Sequence, residues 1–74
     1  MLICGIEASD EEARALVDAL RASGYAVPAA QLENAIQTGR DFEDHDAIRL
    51  DIRHVFTHGT PAGLANLRDA FLTD

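Results

Sequence analysis

Three residues in the second half of the chain have the types and the spacing of a metal site: Asp51, His54 and His58 follow one another at intervals of three and four. On a helix these intervals bring all three to one face, flanking an apolar stripe of Ile48, Ile52 and Val55. Two imidazoles and a carboxylate give a zinc-like ion three ligands and leave its fourth position open or filled from elsewhere. The string His54-Val55-Phe56-Thr57-His58 lacks the glutamate of the metalloprotease pattern, so it does not imply hydrolysis. A competing account pairs His54 locally with Asp51 and sets His58 near the negative end of its helix, where imidazolium is favoured. That account is preferred, and no cofactor is expected. On a strand, Asp51 and His54 would face opposite ways and the cluster would dissolve.

Other chemistry finds little support. Cys4 has no histidine close in sequence to act as a base, and a small buried hydrophobe is the better reading of it. A single cysteine also excludes an internal disulfide and the thiolate pairs of a structural zinc site, which points to a reducing compartment. Ser9 and Thr60 are the best-placed hydroxyls, but each stands where a helix cap is needed. The glycines at 5, 24, 39, 59 and 63 are scattered and form no phosphate-cradling loop. The chain of 74 residues spends most of its apolar side chains on one small core and spares few for an enclosed pocket, so no enzymatic activity is expected.

Charge is more informative. Thirteen acids stand against six arginines and no lysine, for a net charge of −7. Nucleic acid and anionic membranes both require a basic face, and the sign here is wrong for either. The acids gather in two clusters, Glu7, Asp10, Glu11 and Glu12 first, then Asp41, Glu43, Asp44 and Asp46. Both would steer a cationic partner toward them. The first cluster also has a structural use, since acids in the first turn of a helix complement the positive end of its dipole.

The elements that must position these groups follow from caps and periodicity. Ser9 with Glu12 three residues later is a capping box, and Ala13, Leu16, Val17 and Leu20 then recur on one face, so a helix is expected over 10–23 with Gly24 closing it. Tyr25 to Val27 reads as an extended link before Pro28, which suits the first position of a second helix ending near Gly39. Its Leu32 and Ile36 should pack on Leu16 and Leu20 as an antiparallel helical hairpin. Arg40 to Asp46 reads as a loop, with Phe42 folding back into the core rather than anchoring an interface.

Residues 47–56 fit both periods. The alternation of Ile48, Leu50 and Ile52 suits a strand, whereas Ile48, Ile52, Val55 and Phe56 share a helical face. Caps at Asp44 or Asp46, and a length beyond that of the usual strand, favour the helix. A strand would need Leu2 to Ile6 as its partner; otherwise that run is an edge strand or a hydrophobic arm over the bundle. Thr60-Pro61 marks the start of a last helix running to about Leu72. Arg49 and Arg53, four apart, form a basic strip read as a solvated face in preference to half of a dimer contact.

The sequence therefore predicts one domain over residues 1–74, an all-α bundle of three to four short helices, with α+β as the alternative if 47–56 is a strand. The predicted function is a non-catalytic acidic module that binds a basic protein, as an inhibitor, immunity protein or antitoxin does. Two alternatives remain: a divalent-metal-binding domain using Asp51, His54 and His58, and a structural homodimer in which Ala15, Ala19 and Ala22 allow helices to approach closely. With no targeting segment and no apolar run near 18 residues, a soluble cytoplasmic location is expected.

Overall fold

A computed structural model describes residues 1–42, 46–59 and 63–73, and for Asp46 and Ala47 the backbone alone. The chain opens with a minimal antiparallel hairpin, β1 (Leu2–Ile3) and β2 (Ile6–Glu7), in which Leu2 pairs with Glu7 and Ile3 with Ile6. Cys4 and Gly5 turn between them with φ of 50° and 82°. Two positive φ angles in succession mark the two-residue turn whose twist matches the flanking strands. A left-handed residue other than glycine costs about 1–2 kcal/mol. The usual asparagine would bury its amide here, and the buried Cys4 side chain joins the core instead.

Helix α1 spans Asp10–Ala22 and starts on the predicted capping box. The Glu12 N–H donates to Ser9 Oγ at 3.1 Å and the Ser9 N–H to Glu12 Oε1 at 3.0 Å. Its end is a Schellman closure: Gly24, at φ 89°, donates to the Arg21 carbonyl at 3.1 Å and Tyr25 donates to Leu20 at 2.8 Å. Helix α2 spans Ala26–Thr38 and closes in the same way through Gly39, at φ 69°.

The expected extended link at Tyr25 to Val27 is corrected, because α2 starts at Ala26 and places Pro28 third in the helix. The first turn needs no intrahelical donors, and the first backbone bond of α2 runs from Ala29, one residue past the proline, to Tyr25. The helix thus gains two residues at no cost in hydrogen bonds.

Residues 47–56 are helical: α3 spans Asp46–His58. Ile48, Ile52, Val55 and Phe56 are buried while Leu50 is exposed, the pattern of the helical period and not of alternation. The proposed cap Asp44 lies outside the described residues, and Asp46 is the first residue of the helix. Leu2 and Ile3 pair within their own hairpin instead of with this segment. The Thr60-Pro61 start also lies outside the described residues. The last helix, α4, spans Ala65–Leu72 and follows a turn at Gly63, whose φ of 89° no α-helix passes through. Among the described residues the last helix begins at Ala65.

The result is a small helical bundle with a two-stranded appendage. No helix among the described residues is long and apolar enough to cross a membrane. Helix α1 packs most extensively on α2, with α3 and α4 closing the remaining sides. Leu16, Leu20, Leu32, Ile52, Leu64 and Leu67 lie at the centre, and the Phe56 and Phe71 rings meet at 5.8 Å. Phe42 is buried as expected, and its backbone does more than plug a hole. It donates to the Leu2 carbonyl at 2.8 Å and accepts from the Cys4 N–H at 3.1 Å, forming a parallel bridge beside β1.

Candidate functional site

The bridge at Phe42 brings together parts of the two acidic clusters that are distant in sequence. Strand β1 lies between β2, which carries Glu7, and the segment that carries Asp41. Leu2 is paired with Glu7 on one side, and on the other its N–H donates to Asp41 Oδ1 at 3.0 Å. Adjacent strands are spaced about 4.8 Å apart, so the backbones bearing these two acids are roughly 10 Å apart. Asp10 and Glu11 follow within four residues of Glu7, exposed in the first turn of α1.

The acids differ in how far the fold engages them. Glu12 is committed to the capping box, and Asp41 accepts one backbone N–H. Glu7 is exposed, with the Met1 ammonium 3.5 Å from its Oε1. Among the described residues, Asp10 and Glu11 enter no salt bridge, and the other ion pairs join Arg21 to Glu33 at 3.0 Å and Arg68 to Asp69 at 2.7 Å. A hollow of about 240 Å³ opens beside the first turn of α1, lined by Ser9, Glu11, Glu12, Ala15 and Gly63. Glu43 and Asp44 lie outside the described residues, and of Asp46 only its place at the start of α3 is described.

A larger groove of about 510 Å³ runs between α1 and α2, lined by Arg14, Val17, Asp18, Glu33, Ile36 and Gln37. The Arg21 guanidinium beside it is raised above the ordinary arginine range, first by its hydrogen bond to Glu33 and then by that carboxylate's charge. Among the described residues the lining holds no cysteine, serine or histidine to act as a nucleophile or imidazole base.

On α3 the two histidines come together. Their ring centres are 3.9 Å apart with the planes inclined at 33°, and His58 Nδ1 is 3.0 Å from the His54 carbonyl oxygen. Tyr25, at the entry to α2, stands edge-on to His54 with centres 5.9 Å apart. Asp51 lies one turn back, half-buried, and among the described residues no group of three His, Cys, Asp or Glu side chains is placed to hold a metal ion. The structure thus assembles two of the three predicted ligands. Tyr25 was not foreseen as their neighbour, because the contact joins the α1–α2 connection to a residue of α3 distant in sequence.

Arg49 does not belong to a solvated strip. It is half-buried, and its Nη2 donates to the Cys4 carbonyl at 2.9 Å, tying α3 to the hairpin turn. The alanine strip also turns inward, with Ala19 buried, Ala15 half-buried and only Ala22 exposed. No protein-family model, curated protein or solved structure matches this chain.

Proposed function

We propose that this chain is a small acidic binding module that acts by contact with a basic protein, in the manner of an inhibitor, an immunity protein or an antitoxin, and that it carries out no catalysis. One observation carries the reading. In a chain of net charge −7, Glu7, Asp10, Glu11 and Asp41 gather around the hairpin and the first turn of α1. Two of these four, Asp10 and Glu11, have no cationic partner among the described residues. The hollow beside Glu11 and Glu12 offers room for an inserted arginine or lysine of the partner. The same charge opposes association with nucleic acid and with anionic lipid, and the proposed location is the cytoplasm. Of the strip that a homodimer would use, Ala19 lies in the chain's own core, Ala15 is half-buried and Ala22 is exposed.

The test is a salt titration with the partner recovered from the native cell and purified. Affinity should fall at least roughly tenfold between low and high ionic strength, mainly through the association rate. The double variant Asp10→Asn/Glu11→Gln, which leaves the Ser9 and Glu12 cap intact, should reproduce much of that loss. Asp69→Asn, on α4 and already paired with Arg68, should not. An affinity indifferent to salt would overturn the proposal.

A further inference from the structure

The histidine pair on α3 owes nothing to the acidic surface. We propose that His54 and His58 form a two-imidazole chelate for a divalent transition metal, with the remaining coordination positions open to water or to a donor from another molecule. The argument rests on geometry and on the tautomer that the fold imposes. Residues four apart on a helix stand one above the other, and here the ring centres are 3.9 Å apart and inclined by 33°. Nitrogen ligands about 2.0–2.1 Å from a zinc-like ion stand roughly 3 Å from each other, which rings at this separation can span.

The tautomer follows from a single contact. His58 Nδ1 lies 3.0 Å from the His54 carbonyl oxygen, which can only accept a hydrogen bond. Nδ1 therefore carries the proton in that contact, and in the neutral ring the Nε2 lone pair is left for a metal. A backbone carbonyl holding one imidazole nitrogen is the outer-shell arrangement that orients metal-ligating histidines. The Tyr25 ring makes a T-shaped contact with His54, and the Tyr25 N–H is itself anchored on the Leu20 carbonyl. Both histidines are exposed, so a metal reaches them without opening the fold.

The donor set also defines the class of ion. Two imidazole nitrogens, with no third His, Cys, Asp or Glu side chain gathered on them among the described residues, suit copper, nickel and zinc, in the order copper above nickel and zinc, and do not suit magnesium or calcium. This is a smaller site than the three-ligand cluster the sequence suggested, because Asp51 is not gathered with the imidazoles.

Titration calorimetry of the untagged chain with copper, nickel, zinc and magnesium chlorides tests the assignment. One ion should bind per chain, copper most tightly and magnesium not at all. His54→Ala and His58→Ala should each weaken binding roughly tenfold or more, because the second imidazole of a chelate binds as an intramolecular group. Asp51→Asn should leave the affinity within about twofold of wild type. Zinc should also shift the ring-proton resonances of His54 and His58 before any others, a readout independent of heat. No binding at millimolar copper overturns the proposal, as does binding that survives the double substitution. Loss on Asp51→Asn replaces the two-imidazole chelate with a three-ligand site. None of these outcomes bears on the salt dependence of partner binding, so the two readings stand or fall separately.

Discussion

Replacing Arg49 with methionine should destabilise the fold out of proportion to a surface change. The substitution keeps most of the apolar stem and removes the donor that reaches the Cys4 carbonyl at 2.9 Å. A hydrogen bond from a charged donor is worth about 1.5–3 kcal/mol. We expect a loss near 2 kcal/mol. In a domain of this size each kcal/mol shifts the melting temperature by about 4–8 °C, so Arg49→Met should melt roughly 10 °C or more below wild type. Urea denaturation should show a lower midpoint with an unchanged slope, since the same surface is exposed on unfolding. Hydrogen exchange localises the effect: the Cys4 and Phe42 amides, which pair across the bridge, should lose protection before those of α1. Arg53→Met is the control, with an expected change within about 0.5 kcal/mol. Equal losses for the two arginines, or an Arg49 variant as stable as wild type, would refute the view that Arg49 pins the hairpin to α3.

Two further outcomes follow from the helix ends. Ser9→Ala and Glu12→Ala should each cost about 1 kcal/mol, and the double variant less than the sum, because both remove the same reciprocal pair of bonds; strict additivity in chemical denaturation would mean that the capping box does not act as a unit. Gly39→Ala should cost about 1 kcal/mol through its φ of 69° alone, since a methyl group there meets no atom within 4 Å; Gly39→Asn should lose less, and equal melting temperatures for Gly39→Ala and wild type would contradict the left-handed closure of α2.

Features carried by neighbouring residues were legible in the sequence. Ser9 and Glu12 announce α1 because both halves of a capping box lie within one turn, and Gly24 and Gly39 announce its end and that of α2. Residues 47–56 could be placed because Leu50 alone disagrees with the helical face, and it is exposed. The start of α2 was misplaced because the restriction on the residue before proline is a local preference that packing overrode. The hairpin escaped because two-residue strands are too short to show alternation, and because Cys4-Gly5 is not the residue pair that signals such a turn. The contacts of Arg49 with Cys4 and of Asp41 with Leu2 span 45 and 39 positions, beyond the reach of any periodicity. For the same reason the placing of Glu7 and Asp41 on either side of β1 could not be foreseen, while the pairing of His54 with His58 could.

The bridge between Ile3 and Phe42 has a consequence for the lengths of the two helices between them. Helices α1 and α2 are 13 residues each, about 20 Å, they pack on each other, and the bridge shows that together they return the chain to the place it left. The bridge therefore works as a gauge. Lengthening α2 alone by a turn would carry Phe42 about 5.4 Å past its partner, whereas lengthening both by a turn would restore the register. Insertions and deletions within α1 or α2 are best tolerated as matched pairs, and the two acid-bearing segments flank β1 only while that match holds.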